Sequence, residues 1–263
     1  MIPCTHNHAG FPKGISGADL ILRMKEQAQL YGAAIEDGFV SRIESGDGGF
    51  VAEWGCGPVA AKTVLLATGV SNRRPTLDEK AHDAALAAGL IRYCPICDGY
   101  EVTDKPVAVI GTGAKGAAEA QFLRSFTPDL TLFSPDGPHE LSSDERARLT
   151  EAGIAMVDGP VKAIEPGTDS IAIVAVGKRR EFASLYPALG SDTHTQLAEM
   201  LGARLNEQGC IAIDAHQRTN VPGLYAAGDV VIGLDQISHA MGHGGVAATT
   251  IRNDLAKESP LWR

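Results

Sequence analysis

The sequence predicts an α/β fold built on parallel sheets. Residues 63–67 and 106–110 are short and almost entirely apolar, which is typical of strands buried on both faces of a parallel sheet. The second segment is followed by a glycine-rich turn, a helix and a returning strand at 130–133, which is the order of a βαβ unit. With 263 residues, of which 44% are hydrophobic, the chain is long enough for one large domain or two modest ones.

The first part of the chain is expected to hold helices and strands in alternation. The first helix has apolar residues at about 3.6-residue spacing, and Gly32 ends it. A Gly-Asp-Gly-Gly turn at 46–49 separates two of the strands. In chain order, the expected elements are a loop over 1–17, a helix from 16–19 to 32, strands over 33–43 and 49–54, the strand over 63–67 and an alanine-rich helix over 78–89.

The second part begins with the βαβ unit and continues with short strands. Its apolar runs are bounded by Gly, Pro and Asp, which favour turns. The expected elements are a strand over 106–110, a helix over 117–126, a strand over 130–133, a helix over 142–151, strands over 155–157, 161–164 and 170–176, a connector over 177–196, a helix over 197–201, strands over 210–214 and 222–227, and a last helix over 236–256. Trp54 is expected in the core and Trp262 in a tail.

Composition narrows the function classes. The net charge of −9 argues against a protein that binds nucleic acid or an anionic membrane. No apolar run approaches the ~18 residues of a membrane span, and the first residues do not have the pattern of a signal peptide. Five cysteines with a single C-x-x-C are not a secreted disulfide framework. A cytoplasmic protein without nucleic-acid or membrane partners is therefore expected.

The glycine turn predicts a dinucleotide site. Gly111 permits the tight turn, Gly113 lets the backbone approach a pyrophosphate, and Gly116 lets the helix pack closely on the strand. The alternative is a tight strand-to-helix turn without a ligand. After the returning strand the chain has Asp136 and no arginine, which favours a free ribose hydroxyl over a 2′-phosphate. NADPH is therefore not expected to be strongly preferred over NADH.

The Cys94-Pro-Ile-Cys97 motif predicts a redox pair, because two thiols at this spacing can close a small disulfide ring. Asp98 follows directly and can exchange protons with the thiols. One alternative is a zinc site completed by Cys4, His6 and His8, although a second C-x-x-C is absent. The other is a structural pair of buried thiols. No metal site is expected.

Two further groups of polar residues have alternative interpretations. Asp229 ends an apolar strand and could cap a following helix. His239 and His243 are four residues apart on one helical face, which is metal-ligand spacing but more often indicates packing or polar surface. Arg179 and Arg180 are interpreted as a solvated face.

Three motifs and the nucleotide unit between them resemble those of the thioredoxin reductase family, and these four features occur in the family's order. Residues 93–100, Y-C-P-I-C-D-G-Y, resemble its redox-active C-x-x-C-D-G. Residues 63–69 resemble the flavin-domain strand that ends in A-T-G, and residues 219–229 resemble its T-x-x-P-G-x-[FY]-A-x-G-D segment. Residues 7–12 resemble its N-x-P-G-F-P loop. With the nucleotide unit between these motifs, the resemblance covers essentially the whole chain.

The resemblance implies two Rossmann-like nucleotide-binding domains, the second inserted in the first. An FAD-binding domain would span 1–86 and 187–263, and an NAD(P)-binding domain carrying the C-x-x-C would span 87–186. The chain starts after the family's first strand and glycine turn, so the resemblance implies an N-terminally truncated flavin domain. That segment holds the FAD pyrophosphate in the family, and weak FAD binding is therefore expected.

The resemblance also implies the roles of individual residues. Cys97 would face the flavin, Cys94 would attack the substrate, and Asp98 would donate the proton. The implied cofactor-binding residues are Asn7, Thr68, Gly69, Gly228, Asp229, Gln236 and Ile237 for FAD, and Gly111, Gly113 and Gly116 for the nicotinamide nucleotide.

The implied function is a disulfide reductase. Electrons would pass from NADPH or NADH through FAD to the Cys94–Cys97 disulfide, and then to thioredoxin or a small disulfide. A homodimer is expected. Two alternatives remain open at this point. One is a dithiol oxidase that uses FAD and oxygen without a nicotinamide, and the other is a truncated, non-catalytic remnant that pairs with another chain.

Overall fold

The computed structural model describes residues 2–260, and the chain divides into two compact units. The first unit consists of the residues up to Glu26 together with Asn72–Ser191, and the second of Gln27–Ser71 together with the residues from Asp192 onward. Both units are discontinuous in sequence. The residues up to Glu26 pack with the first unit because the amino-terminal loop hydrogen-bonds to the segment that carries the C-x-x-C. This division differs from the sequence-based boundaries at 86 and 187.

Helices and strands alternate in only part of the chain. The helices are α1 Gly17–Leu30, α2 Glu79–Ala87, α3 Pro95–Asp98, α4 Gly113–Leu123, α5 Ser143–Glu151, α6 Gln196–Met200 and α7 Ile237–Glu258. The strands are β1 Val40–Gly46, β2 Gly49–Trp54, β3 Gly57–Ala61, β4 Val64–Leu66, β5 Val70–Asn72, β6 Val107–Ile110, β7 Leu130–Phe133, β8 Ala155–Val157, β9 Val161–Pro166, β10 Ile171–Ala175, β11 Lys178–Phe182, β12 Ser184–Pro187, β13 Ser191–Thr193 and β14 Leu224–Ala226. Helices and strands alternate from β6 to β8, whereas β1 to β5 and β8 to β13 follow one another without an intervening α-helix.

The first unit is built on a parallel sheet with the order β12-β6-β7-β8. Its strand residues alternate between two apolar clusters. Val107 and Val109 pack against α4 and α5, whereas Ala108 and Ile110 pack toward the antiparallel sheet β11-β10-β9. Both faces of the parallel sheet are therefore buried, and every residue of β6 and β7 is buried, all of them apolar except Thr131. The predicted βαβ unit is confirmed.

Several predicted elements differ from the structure. The expected connector over 177–196 contains β11, β12 and β13 and begins α6, and its charged residues on β11 concealed the strand pattern. Residues 210–214 form only isolated bridges at Ile211, so the predicted strand there was wrong. Strand β3 was missed, and β1 begins at Val40 rather than residue 33. Helix α4 begins at Gly113 rather than 117, because the glycine turn itself forms its first turn.

The second unit has an antiparallel sheet β1-β2-β3 and a parallel pair of β4 and β14. Helix α7 is anchored beside β14 by Asp254, which accepts hydrogen bonds from Arg218 at 2.7 and 3.0 Å and from the Tyr225 hydroxyl at 2.9 Å. Trp54 is half-buried rather than in the core, and Trp262 lies outside the described residues. Within residues 2–260 no helix has the length and apolarity required to cross a membrane.

Candidate active site

The C-x-x-C motif forms a disulfide at the start of α3. Cys94 is the N-cap residue, and Pro95 occupies the first helical position, where its missing N–H costs no hydrogen bond. The Cα atoms of Cys94 and Cys97 are 5.2 Å apart, and both residues are half-buried. The backbone N–H of Cys97 donates to Cys94 Sγ at 3.1 Å. A donor at this distance would stabilise a Cys94 thiolate once the disulfide is reduced.

Asp98 lies at the end of α3, and each of its carboxylate oxygens contacts a polar side chain. Oδ1 accepts a hydrogen bond from the Tyr186 hydroxyl at 2.8 Å, and Oδ2 is 3.1 Å from Arg92 Nη1. Burial raises the pKa of Asp98, while the Tyr186 hydrogen bond and the Arg92 charge oppose that rise. The raised pKa brings this carboxyl closer to neutral pH, where a group can both give and take a proton.

The sequence did not predict Arg92, Tyr186 and Glu101 as parts of this site. Arg92 Nη1 also lies 2.8 Å from Glu101 Oε2, so one guanidinium joins two carboxylates. Tyr186 is fully buried on β12, and burial together with the Asp98 charge raises the pKa of its hydroxyl. Tyr186 lies 88 residues from Asp98 in the chain, and no local pattern marks such a pairing.

A second buried contact holds the residue that precedes Cys94. His82 Nε2 is 2.8 Å from the Tyr93 hydroxyl, and His82 Nδ1 is 3.0 Å from Asp83 Oδ1. His82 is only 2% exposed, and burial raises the pKa of Tyr93 to about 12. Tyr93 therefore stays a neutral hydroxyl at physiological pH. These contacts fix the backbone from which α3 begins.

The glycine turn has the form that the sequence predicted. A Cβ on Gly116 would lie 2.7 Å from the carbonyl carbon of Gly111, so these two glycines allow the strand and helix to approach. Gly113 has φ +61°, and a Cβ there would meet only Glu140 O at 3.5 Å. The N-cap residue Thr112 makes no capping hydrogen bond with its side chain. Helix α4 can therefore offer its first N–H groups to an anionic phosphate, and the turn fits a dinucleotide.

In the second unit, most of the predicted FAD residues lie at one edge of the β4–β14 pair. Leu66 is paired with Ala226 in parallel register, and the backbone N–H of Ala227 donates to Leu66 O at 3.0 Å. The carboxyl ends of the two strands therefore meet, since parallel strands end on the same side of a sheet. The residues that follow these ends are Thr68 and Gly69 after β4, and Gly228 and Asp229 after β14.

Helix α7 begins beside this edge. A Cβ on Gly228 would lie 3.5 Å from the Ala240 Cβ, and Gln236 is the N-cap residue, with Ile237 first in the helix. No side chain caps α7 at Gln236. The edge thus combines backbone donors at a helix start with a half-buried carboxylate at Asp229, whose pKa is raised by burial and by Asp235. Such a set fits the polar part of a flavin nucleotide.

The sequence missed His194 at the same edge. The Thr68 hydroxyl donates to His194 O at 2.7 Å, and His194 Nδ1 lies 2.9 Å from Thr68 O. Its other nitrogen, Nε2, lies 2.9 Å from Ser71 Oγ. These three contacts hold the segment after β4, and they come from residues more than a hundred positions apart.

Asn7 belongs to the first unit, whereas the other predicted FAD residues belong to the second. Its Nδ2 donates to Ile96 O at 3.4 Å, so it contacts the C-x-x-C helix.

The described residues contain no group of three or more His, Cys, Asp or Glu side chains that is arranged to hold a metal ion. His239 and His243 hydrogen-bond each other, Nε2 to Nε2, at 2.7 Å.

The fold and the disulfide define an oxidoreductase that acts through a redox-active cysteine pair. A sequence model of the pyridine nucleotide-disulphide oxidoreductase family matches residues 26–244, and the chain belongs to this family. It is 30% identical over 256 residues to thioredoxin reductase of Mycoplasmopsis pulmonis, covering 92% of this chain and 81% of that protein. It is 31% identical over 237 residues to thioredoxin reductase of Streptomyces coelicolor, covering 86% and 72%.

Solved structures agree with this assignment. The crystal structure of thioredoxin reductase from Streptococcus pyogenes superimposes with a TM-score of 0.88 at 25% identity, covering 97% of this chain and 85% of that one. The family uses a flavin and a nicotinamide nucleotide. The predicted α/β fold with Rossmann-like elements and the predicted oxidoreductase class are confirmed, and the truncated flavin domain stays a prediction.

Proposed function

We propose that this chain reduces the disulfide of thioredoxin with electrons from a nicotinamide nucleotide that pass through FAD and the Cys94–Cys97 pair. The observation that carries the proposal is the disulfide at the start of α3, with the half-buried Asp98 at the end of the same helix. The relatives whose sequences match over most of the chain are named thioredoxin reductases. A homodimer and a cytoplasmic location remain predictions.

We assign the nicotinamide nucleotide to the first unit and the flavin to the second. Gly111, Gly113 and Gly116 would hold the dinucleotide phosphates at the start of α4. Thr68, Gly69, Gly228, Asp229, Gln236 and Ile237 would hold the flavin nucleotide at the carboxyl edge of β4 and β14. When bound, FAD supplies the two-electron relay between a nicotinamide and a disulfide.

The cysteines and Asp98 would carry out the exchange with the substrate. The reduced Cys94 thiolate, stabilised by the Cys97 N–H, attacks one sulfur of the substrate disulfide, and a mixed disulfide forms as the substrate's S–S bond breaks. The departing thiolate takes the proton of Asp98. The Cys97 thiol then gives its proton to Asp98 and attacks the Cys94 sulfur, which restores the Cys94–Cys97 disulfide and releases the second substrate thiolate. The substrate gains two electrons, and the cysteine pair loses them.

Exposed apolar side chains next to the disulfide support a protein as the substrate. Ile96 is 52% exposed and Tyr100 is 81% exposed, and both lie within a few residues of Cys97. Large apolar side chains at a surface favour contact with a partner protein. A small disulfide substrate would not need them.

The nicotinamide preference is expected to be weak. Asp136, which follows β7, is exposed, and the loop over 134–141 contains no arginine. A guanidinium pairs bidentately with a phosphate, so the missing arginine removes a contact that would favour NADPH. The same missing arginine also favours a second candidate function, because an enzyme that does not use a nicotinamide needs no such contact. This function is a dithiol oxidase that passes electrons from a dithiol through FAD to oxygen.

One experiment separates these functions. The purified protein, supplied with FAD, is mixed anaerobically with NADPH, NADH or a dithiol, and the flavin absorbance at about 450 nm is followed before and after oxidised thioredoxin is added. We expect either nucleotide to bleach the band and thioredoxin to restore it, and the Cys94→Ser variant to lose the second response. Cys56→Ser serves as the control. Bleaching by a dithiol but by neither nucleotide would instead identify the oxidase.

A further inference from the structure

The amino-terminal loop aligns a thiol, an imidazole and a carboxylate. His6 Nε2 is 3.8 Å from Cys4 Sγ, and His6 Nδ1 is 2.9 Å from Glu101 Oε1. Because the carboxylate accepts from Nδ1–H, the ring keeps its proton there and presents the Nε2 lone pair to the thiol. This is the order of groups by which a base, itself oriented by a third group, activates a nucleophile. The redox pair described above does not include any of the three residues.

Local structure builds this arrangement. Thr5 and Ile15 form an isolated antiparallel bridge with two backbone hydrogen bonds of 2.9 and 3.1 Å, which holds the segment of residues 4–6 against Gly14. A Cβ on Gly14 would lie 2.5 Å from Cys4 Sγ and 2.7 Å from His6 Nε2. Gly14 also has φ +76°, a conformation that favours glycine. The thiol and the imidazole therefore occupy space that only a glycine leaves free.

The carboxylate is fixed from its other side. Glu101 Oε2 lies 2.8 Å from Arg92 Nη1, and the neighbouring hydrogen bond from His6, together with Arg92, holds the pKa of Glu101 below its usual range. Glu101 therefore remains an anion that orients His6 at neutral pH. Arg92 lies outside the amino-terminal loop and its side chain is only 16% exposed, so the contact with Arg92 fixes the Glu101 carboxylate from the first unit's interior side.

The thiol is open to solvent. Cys4 is exposed, and the His6 side chain is 51% exposed. Cys56 is also an exposed free cysteine, and no imidazole lies within hydrogen-bond distance of its sulfur among the described residues. The chain thus contains two accessible thiols that differ in whether a base is adjacent.

We propose that Cys4 is a second reactive thiol, which exchanges with low-molecular-weight disulfides to form a mixed disulfide. The Cys4 thiol gives its proton to His6 Nε2, and its sulfur attacks one sulfur of the disulfide R–S–S–R. The Cys4–S–S–R bond forms as the R–S–S–R bond breaks, and the departing R–S⁻ takes the proton from His6 and leaves as R–SH. Cys4 is oxidised and one half of the small disulfide is reduced, so no other electron donor or acceptor is needed.

The test compares cysteines within one protein. The untreated chain is incubated with glutathione disulfide at about pH 7, and the mixed disulfides at Cys4 and Cys56 are followed by mass spectrometry of peptides after acid quenching. We expect Cys4 to react about tenfold or more faster than Cys56. The His6→Ala variant should bring Cys4 to the rate of Cys56, and Glu101→Gln should slow it severalfold. His8→Ala, a histidine of the same loop that stacks on Phe11, is the matched control and should leave the rate unchanged.

The rate at Cys56 is the internal reference for an exposed thiol without an adjacent base, and it should not change in any variant. Far-UV circular dichroism and the midpoint of urea unfolding report whether each variant is folded. Equal rates at Cys4 and Cys56 in the unmodified protein would overturn the proposal without any variant. An unchanged Cys4 rate in His6→Ala would also overturn it, because accessibility alone would then explain the reactivity.

Discussion

Asp98 shows how single neighbours set the chemistry of this protein. Its burial favours the protonated carboxyl, and a hydrogen bond from Tyr186 and the charge of Arg92 favour the carboxylate. The two effects leave a group whose pKa is raised, but by less than burial alone would raise it. A proton donor that must be reloaded in each cycle needs such a balance, because a group held firmly in either state transfers no proton.

Replacing Asp98 with Asn is expected to slow the reaction. The amide cannot exchange a proton with the thiols, and general acid–base catalysis of this kind contributes about 100-fold or more to a rate. We therefore expect Asp98→Asn to lower kcat for thioredoxin reduction by about 100-fold, measured in steady state. The control is Asp104→Asn, because Asp104 is exposed. A loss of less than threefold would remove Asp98 from the mechanism.

Removing the Tyr186 hydroxyl is expected to shift the pH dependence of the rate upward. The hydroxyl donates to the carboxylate and so lowers the pKa of Asp98, and its loss raises that pKa further. The step that needs protonated Asp98 then persists to higher pH, so the alkaline limb of kcat against pH moves to higher values in Tyr186→Phe. Tyr31→Phe, an exposed tyrosine, should leave the profile in place. A downward shift would contradict the assignment.

Glu119 on α4 makes the stability of the protein depend on pH. Burial raises its pKa to about 7 against the opposing charge of Lys115, and its Oε1 has no hydrogen-bond partner in the described structure. The folded chain therefore keeps a proton that the unfolded chain releases above its ordinary pKa of 4.5. Stability falls as the pH rises through this window and levels off above about 7, a loss of up to about 3 kcal/mol.

We expect Glu119→Gln to remove this slope, since the amide does not titrate. The free energy of unfolding, measured in urea at pH 5 and pH 8, should be similar for both proteins at the lower pH. At the higher pH the variant should be the more stable. Glu151→Gln, which changes an exposed residue at the end of α5, provides the comparison. A variant that is less stable than the parent at pH 8 would show that Glu119 has a partner when charged.

At the scale of elements, the turn between β6 and α4 depends on two glycines that contact each other. A Cβ on Gly116 would lie 2.7 Å from one backbone atom of Gly111 and 3.1 Å from another. Neither backbone can move without shifting the strand or the helix. Packing of this kind tolerates no added methyl group, and overpacking typically costs about 1–3 kcal/mol.

Gly116→Ala is therefore expected to weaken both folding and nucleotide binding. We expect a loss of about 1–3 kcal/mol in the free energy of unfolding and a Kd for NADH more than about tenfold higher, measured by fluorescence titration. Gly244→Ala on α7 is the matched control, because a Cβ there meets no atom within 4 Å. Alanine favours the helix, so this control should be neutral or stabilising by up to about 1 kcal/mol. Equal effects in both variants would argue against a special role for the turn.

At the scale of the whole molecule, the five cysteines fall into two groups. Cys94 and Cys97 are joined, and Cys4, Cys56 and Cys210 are free. All three free thiols lie outside the C-x-x-C segment, so the number of thiols that react with a thiol reagent shows whether Cys94 and Cys97 are joined. This measurement uses the 263-residue chain as it is and requires no substrate.

We expect three titratable thiols in denaturant before reduction and five after it, because only the Cys94–Cys97 bond is opened by a reductant. The measurement is a colorimetric thiol assay in guanidinium chloride. Cys56→Ser should lower both counts by one. An identical count before and after reduction would show that Cys94 and Cys97 do not form a reversible disulfide. The alternative interpretation of these cysteines as zinc ligands would then be favoured.

Local patterns in the sequence determined the class of fold, the disulfide pair and the glycine turn. Each of these depends on residues that are neighbours in the chain: an apolar strand, two cysteines three positions apart, and glycines that permit one tight turn. Strands β11 and β12 escaped prediction, because polar residues on β11 and the shortness of β12 hide their periodicity.

The tertiary structure alone decided which side chains surround the chemistry. Tyr186 reaches Asp98, Glu101 reaches His6, and His194 reaches Thr68 across 88, 95 and 126 residues of sequence. Nothing in the local sequence marks such partners, because a hydrogen bond depends on a distance of about 3 Å that only the folded chain establishes. The reactive groups Cys94, Cys97 and Asp98 can be predicted from the local sequence motif. Their orientation and the pKa of Asp98 depend on side chains from distant strands and loops.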